Sequence, residues 1–385
     1  MLNIKLMNKI SATGTDLFDR EKYSVGDEIA NPDAILVRSA ALHDMEFGAD
    51  LKAIARAGAG VNNIPIDRCS ENGIVVFNTP GANSNGVKEL VLAALIFSSR
   101  NVLDASKWAE GLTENVAKSV EKGKSQFTGH EIKGKKLGVI GLGAIGRLVA
   151  NAAVELGMEV IGYDKFITVD GAWSLSRMVK KAAAIEDIFK SCDYITVHVP
   201  LTDETKDMFC SESFAIMKDG VRIMNFSRAG LVNAAALKEA LASGKVAGYV
   251  TDFPTEETLG TKGIINIPHL GATTEESEEN CAMMAARELI DFLENGNIKN
   301  SVNFPDVSLE HSGDYRICLF HKNIPNMLAK ISGVVSELGI NIENMINRSK
   351  KDWAYTMVET TGQLPADSIE KLKSIDGMAR VTIIH

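Results

Sequence analysis

The segment Lys136-Leu-Gly-Val-Ile-Gly-Leu-Gly-Ala-Ile-Gly146 runs an apolar stretch into three glycines spaced G-x-G-x-x-G and then into a helical pattern. Few folds accept that order. The apolar run predicts a buried parallel strand, Leu148 to Leu156 a helix stopped by Gly157, and Glu159 to Asp164 the next strand, so that together they make a βαβ unit. Each glycine of the turn has a task. Gly141 permits the tight bend, Gly143 lets backbone approach a pyrophosphate, and Gly146 lets the helix pack close on the strand, with its N-terminus facing the anion. Glycine-rich turns also join strands to helices where nothing binds, so the spacing alone is a weak signal. Asp164 strengthens it, because it closes the second strand about 20 residues on, where an acid hydrogen-bonds the hydroxyls of an adenine ribose. A carboxylate there repels a 2′-phosphate, so the expected cofactor is NAD, with Lys165 beside it working against that discrimination.

The chain has 385 residues, room for two or three domains each with its own core. A net charge of −9 argues against nonspecific nucleic-acid binding, which needs basic surface to displace counterions from phosphates. Cys69, Cys192, Cys210, Cys281 and Cys318 form no C-x-x-C pair and have no histidine at ligand spacing, so no metal site is expected. They read as reduced thiols of a cytoplasmic protein. The N-terminus lacks the basic region and apolar core of a signal peptide, and the longest apolar run, Leu90 to Phe97, is too short to span a bilayer.

Ahead of the glycine motif, apolar runs at Ile4–Met7, Ala34–Val37, Leu51–Ala55 and Ile74–Phe77 alternate with polar or helical segments, which predicts a small parallel α/β domain. Arg38-Ser39, Arg56-Ala-Gly-Ala-Gly60 and Asn78 to Ser84 follow those strands, at the ends that line the crevice of open α/β sheets. Two arginines beside glycine-rich backbone suit a carboxylate or phosphate. A long helical pattern, Asn85 to Ala109, leads out of this domain into a polar connection, 112–127. Beyond Asp164, strands are expected at 194–200, 221–226 and 245–251, then a long helix from Glu275 to Leu293 that returns to the first domain. A linker with Pro305 leads to a last unit in the order βαββαβ: Tyr315–Phe320, Pro325–Leu338, Ile340–Ile346, Ala354–Thr360, Ser368–Ile375 and Ala379–Ile384.

Three polar residues follow strands of the dinucleotide unit: Arg228, Glu257 and His269. Hydride exchange with a 2-hydroxy acid needs a cation to hold the carboxylate, a group titrating near neutrality to move the hydroxyl proton, and a partner to tune that group. Arg228, His269 and Glu257 supply those roles in that order, with Glu256 an alternative to Glu257 on chemistry alone. A carboxylate bonded to one imidazole nitrogen fixes the tautomer and frees the other for substrate. His198, in Val-His-Val-Pro, reads instead as a strand-end residue near the cofactor.

The glycine fingerprint, Arg228-Ala-Gly230, the Asp252-Phe-Pro-Thr-Glu-Glu257 segment, and Pro268-His-Leu-Gly-Ala272 occur in the order found in the D-2-hydroxyacid dehydrogenases, which the chain resembles over nearly its whole length. The resemblance is to the branch that acts on 3-phosphoglycerate and carries a C-terminal ACT domain. It implies a Rossmann-type doubly wound NAD-binding domain (99–273) inserted in a flavodoxin-like α/β substrate domain (1–98 and 274–300). A linker (301–312) and a ferredoxin-like ACT domain (313–385) would follow. The activity implied is NAD-dependent oxidation of 3-phosphoglycerate to 3-phosphohydroxypyruvate, with another 2-hydroxy acid such as glyoxylate, hydroxypyruvate or 2-hydroxyglutarate as the alternative. Transcriptional corepressors with a similar fold are a third reading.

The same resemblance assigns Gly141, Gly143, Ala144, Ile145, Gly146, Asp164, His198, Pro200, Thr205 and Asp252 to NAD, with Asp252 on the nicotinamide carboxamide. It places Arg38, Ser39, Arg56, Gly58 and Asn83 on the substrate, together with Lys124 contributed by a partner subunit, which implies a homodimer or homotetramer. Some relatives carry a further arginine where this chain has Ala40. In the last unit His321, Asn323 and Asn341 match positions that contact serine in regulated relatives, while Asn326 replaces a glycine at the helix start. Asn tolerates the left-handed backbone needed there better than most residues.

Overall fold

The computed structural model describes residues 1–310 and 315–384, so the expected boundary at 312/313 and the last residue lie outside the described residues. The chain gathers into two compact units, Met1–Asn83 with Glu278–His385, and Ser84–Ser277. This division differs from the expected one in two places. The helix Ser84–Arg100 belongs with the dinucleotide unit, and the C-terminal strands share a unit with the first sheet.

The first unit opens with five parallel strands, β1 (Leu2–Met7), β2 (Tyr23–Gly26), β3 (Ala34–Val37), β4 (Ala53–Arg56) and β5 (Val75–Asn78), in the order β2-β1-β3-β4-β5. That is the flavodoxin-like order. The second unit is a seven-stranded parallel sheet of β6 (Lys136–Ile140), β7 (Glu159–Tyr163), β8 (Lys180–Lys181), β9 (Tyr194–Val197), β10 (Val221–Asn225), β11 (Val246–Thr251) and β12 (Ile264–Asn266). Its order, β12-β11-β10-β9-β6-β7-β8, reverses beside β6, the strand that leads into the glycine turn. Central strands of such sheets are covered on both faces and must be apolar throughout. β3 and β9 are accordingly buried at every position.

The long helical pattern after Asn85 breaks at Asn101, whose φ of 47° is left-handed, into Ser84–Arg100 and Val102–Glu110. The polar connection beyond it contains a further helix, Val116–Gly123, and a 3-10 turn, Lys124–Phe127. Neither buries a residue, and both are too short for hydrophobic periodicity to stand out.

The last four strands, β13 (Tyr315–Lys322), β14 (Ile342–Lys350), β15 (Trp353–Thr360) and β16 (Met378–Ile384), form an antiparallel sheet ordered β14-β15-β13-β16. With helices Met327–Ser336 and Ala366–Lys373 they give the expected βαββαβ order, compatible with an ACT-like domain. Alternation divides β13 between two cores. Ile317 and Leu319 pack with Ile331, Val335 and Leu372 of the helices, whereas Cys318 and Phe320 join Phe77, Phe292, Phe304 and Tyr355 in the core of the first sheet. Phe320 stacks on Tyr355 at 4.6 Å and meets Phe304 edge-on at 5.0 Å. Polar groups fasten the same seam. The buried Arg316 pairs with Glu359 at 2.6 Å and donates to the carbonyls of Asn295 and Leu309, while Tyr355 Oη donates to Gly296 O at 2.7 Å. The C-terminal sheet is therefore sandwiched, its second face buried against the first domain.

Candidate active site

In the second unit, the turn after β6 has the geometry an anion needs. Gly141 adopts φ 88°, and a Cβ there would fall 2.5 Å from the His198 carbonyl oxygen. A Cβ on Gly146 would lie 1.9 Å from the Gly141 carbonyl oxygen, so only glycine lets the helix Ala144–Glu155 sit this close to its strand. Nothing lies within 4 Å of the Cβ position on Gly143, which leaves that backbone open to a ligand. Ala144 and Ile145 form the helix's first turn, whose free N–H groups favour an anion.

Asp164 follows β7 and accepts from Leu142 N and Phe166 N, each at 2.7 Å, which fixes its carboxylate at the cleft. A cavity of about 690 Å³ opens there, lined by Gly141, Tyr163, Asp164, Lys165, Pro200 and Thr205 among others. Lys165 Nζ lies 3.6 Å from Glu204, so the cation that opposed NAD selectivity faces a carboxylate of its own. Thr205 Oγ1 donates to Pro200 O at 2.7 Å and accepts from Thr202 N at 2.8 Å, which ties down the loop along one wall. His198 is half-buried as a residue, with its ring enclosed. Nε2 lies 2.9 Å from Thr196 Oγ1, and Nδ1 is enclosed without a partner. Burial pushes its pKa down to about 3, so the ring stays neutral and is no acid near neutral pH.

Arg228, Asp252 and His269 are drawn together after β10, β11 and β12. Asn225 Nδ2 donates to Arg228 O at 2.8 Å, and Arg228 Nη1 donates to Ser227 O at 2.6 Å. The guanidinium carbon lies 5.6 Å from the centroid of Phe253, and the His269 ring lies 4.6 Å from the same ring. Phe253 thus organises both groups. Sequence reasoning gave it no role, although it is the middle residue of Asp252-Phe-Pro. His269 holds a left-handed backbone, φ 40°, uncommon for a non-glycine residue, with its N–H shared between Asp252 O and Ile267 O at 3.0 Å each. Asp252 is buried. Its Oδ2 accepts from Gly271 N at 3.1 Å and its Oδ1 has no partner among the described residues. Burial raises its pKa, against the Gly271 hydrogen bond and the attraction of His269 and Arg228. An enclosed acceptor without a donor is costly, and a carboxamide NH₂ would supply one.

Glu257 differs from expectation. It is exposed, and among the described residues no hydrogen bond joins it to His269. It lines a separate cavity of about 280 Å³ with Tyr249, Phe253 and Thr258. Its carboxylate is held below the usual range by its own backbone N–H, then by Thr255. The loop around Thr255 and Thr258 is closed by Thr258 Oγ1, which donates to Thr255 O and Asn266 Oδ1 at 3.1 Å, and this turns Glu257 outward. The carboxylate whose field reaches His269 here is Asp252.

In the first unit Arg56 ends β4 in register with Val37 of β3 and Asn78 of β5, and Arg38 directly follows β3. Arg56 Nε donates to Arg38 O at 3.0 Å, and its guanidinium lies over Gly58, where a Cβ would fall 1.6 Å from Nη1. Gly58 is therefore what leaves room for Arg56. Burial lowers the Arg56 pKa, with Cys281 opposing and Arg38 adding to the shift, a strain that an arriving anion relieves. Arg38 Nη2 donates to Glu278 Oε1 at 2.6 Å, and the N–H groups of Ser39 and Ala40 both donate to Asn8 Oδ1, at 3.1 and 2.7 Å. Sequence reasoning missed Glu278 and Asn8. Asn83 is half-buried where the chain passes to the second unit, and Lys124 is exposed and paired with Glu121.

In the C-terminal unit His321 is buried, with Nδ1 2.8 Å from Lys322 O and Nε2 2.8 Å from Thr356 Oγ1. Its register opposite Ala354 turns the ring into the sheet's packing. Asn323 and Asn341 are exposed, and Asn323 Nδ2 donates to Lys351 O at 3.2 Å. Asn326 caps its helix at φ 67°, the left-handed conformation that its glycine-like position requires.

The model of the D-isomer specific 2-hydroxyacid dehydrogenase NAD-binding domain matches residues 92–274. A D-3-phosphoglycerate dehydrogenase of Haemophilus influenzae is 32% identical over 353 residues, covering 89% of this chain and 83% of that protein. Proteins of the same name from Methanocaldococcus jannaschii and Bacillus subtilis are each 33% identical, over 85% and 88% of this chain; it spans only 62% and 63% of their length. Among solved structures, an NAD⁺-bound 3-phosphoglycerate dehydrogenase of Entamoeba histolytica is 28% identical, with a TM-score of 0.60 over 78% of this chain and 98% of that one. A D-mandelate dehydrogenase of Rhodotorula graminis shares the fold at 21% identity, with a TM-score of 0.67 over 80% of this chain and 99% of that one.

Proposed function

The chain belongs to the D-isomer specific 2-hydroxyacid dehydrogenase family, and from that premise we propose that it oxidises 3-phospho-D-glycerate to 3-phosphohydroxypyruvate with NAD, the first step of L-serine biosynthesis. The observation that carries this is the contact of both Arg228 and His269 with Phe253, beside a buried Asp252 oxygen that lacks a donor among the described residues.

NAD, when bound, would supply the hydride exchange at the substrate's C2. The chain's own residues do the rest. Arg228, its guanidinium fixed by Ser227 O and Phe253, holds the substrate carboxylate and so aims C2. His269 takes the C2 hydroxyl proton in oxidation and returns it in reduction. Asp252 would orient the nicotinamide by accepting from its carboxamide through the enclosed Oδ1. Glu257, the proposed partner of His269, joins it if its loop rearranges when ligands bind. Arg38 and Arg56 are assigned to the phosphate, with Lys124 a further contributor from a second subunit of a dimer or tetramer.

A cytoplasmic location is proposed from the cysteines, all five free and four of them buried. A small amino acid such as serine is proposed to bind the C-terminal unit through the exposed Asn323 and Asn341, with His321 left to hold the sheet.

The test is a comparison of kcat/KM for NADH-linked reduction of 3-phosphohydroxypyruvate, hydroxypyruvate and glyoxylate. The phosphorylated compound should be preferred. Preference for an unphosphorylated one sinks the phosphoglycerate assignment, and NADH binding without turnover of any 2-keto acid returns the binding-protein reading.

A further inference from the structure

The anion donors at the strand ends of the first unit are already engaged by the protein's own oxygens. Glu278 Oε1 sits 2.6 Å from Arg38 Nη2, and Asn8 Oδ1 takes the N–H groups of Ser39 and Ala40 at 3.1 and 2.7 Å. Asn8 pays for its position with a left-handed backbone, φ 74°. Arg56, by contrast, spends only Nε among the described residues, on Arg38 O, and its guanidinium fills the space that the missing Cβ of Gly58 leaves. The cationic charge open to a ligand at these strand ends is therefore nearer one than two. Arg38 and Glu278 are 40% and 42% exposed, so a stronger anion can reach and break the pair without a change of fold.

We propose that Glu278 is a substrate-selecting residue, whose carboxylate holds the guanidinium edge of Arg38 until a dianionic group displaces it. A neutral or singly charged tail offers Arg38 no more than Glu278 already gives and binds against Arg56 alone. A phosphate, with two charges and three acceptor oxygens, outcompetes one carboxylate and gains Arg38 as well. The inference deepens the phosphoglycerate reading and rests on it for the identity of the dianion.

The test is steady-state reduction by wild type, Glu278→Gln, Arg38→Ala and the double variant, with NADH binding by fluorescence as the check on an intact fold. In Glu278→Gln, KM for 3-phosphohydroxypyruvate should fall about two- to fivefold with kcat unchanged, and KM for hydroxypyruvate should stay where it was. In the Arg38→Ala background the Glu278 substitution should change neither. An unchanged or raised KM for the phosphorylated substrate in Glu278→Gln overturns the proposal, as does an equal fall with Arg38 absent. If wild type ignores the phosphorylated keto acid, the phosphoglycerate reading alone has failed, and competitive inhibition by inorganic phosphate reads the pair instead. Its inhibition constant must then fall in Glu278→Gln and not in the double variant, and any other pattern overturns the proposal.

Discussion

Replacing Glu288 by Gln should make the protein more stable above pH 5 and leave it unchanged in acid. Glu288 is buried on the helix Glu275–Asn295, with Oε1 accepting from Asn300 Nδ2 at 2.7 Å and Oε2 enclosed without a partner. Burial pushes its pKa up from 4.5 to about 8, against the Asn300 hydrogen bond and Lys299, and with help from Asp306. Between those two values the native state holds a proton that the unfolded chain releases, so stability is full below pH 4.5 and falls as pH rises toward 8. At about 1.4 kcal/mol per unit the loss is about 3 kcal/mol at pH 7 and approaches about 5 kcal/mol above pH 8. Gln keeps the oxygen that accepts from Asn300 and cannot ionise, so it reproduces the protonated form at every pH. Urea unfolding of wild type and Glu288→Gln from pH 5 to 8.5 reads the difference directly. The curves should come within about 1 kcal/mol near pH 5 and separate by about 4 kcal/mol at pH 8; curves that run parallel would refute the reasoning.

Gly146→Ala drives a Cβ to within 1.9 Å of the Gly141 carbonyl oxygen, so the helix must move off the strand and NADH affinity should fall at least about tenfold by fluorescence titration; undiminished affinity would show that the close approach does not matter. Asp252→Asn sets a donor against either Gly271 N or the carboxamide whichever way its amide turns, and should raise KM for NAD about tenfold or more; an unchanged value would remove Asp252 from the cofactor. Arg316→Met takes the buried cation from beside Glu359 together with its donors to Asn295 and Leu309, at a cost of about 3–5 kcal/mol measured by chemical denaturation, and Arg316→Met with Glu359→Leu should recover most of it; no loss in the single variant would mean that the C-terminal sheet is not held through this pair.

Regular periodicity made most of the fold legible. The glycine turn, the buried parallel strands and all six elements of the last unit follow from patterns of two or 3.6 residues. What was missed is short, exposed or long-range. β8 has two residues, both exposed, and the helix Val116–Gly123 is so short that the spacing of Val116 and Val120 does not stand out from the polar stretch around it. Docking of the C-terminal sheet left a signal that could have been used. Arg316-Ile-Cys-Leu-Phe-His321 and Ala354-Tyr-Thr-Met-Val358 are apolar at both parities, as strands covered on two faces must be, rather than alternating as over one wet face. At the candidate site, Arg228 and His269 were legible because they follow strands in a characteristic setting. Glu278 was not, standing among Glu275, Glu276 and Glu279 with only the phase of the helix to choose which one meets Arg38. Nor could spacing reveal that the Thr255–Thr258 hydrogen bonds turn Glu257 away from His269.

The central claim is that His269 moves the substrate proton beside a dinucleotide site to which it contributes nothing essential. It is tested most directly by measuring, in His269→Ala and wild type, both NADH binding by fluorescence and the rate of 3-phosphohydroxypyruvate reduction by loss of reduced-nicotinamide absorbance. NADH affinity should be unchanged within a factor of about two, while kcat falls at least about a hundredfold. A variant that turns over at near the wild-type rate, or one that loses its activity only because NADH no longer binds, would contradict the account.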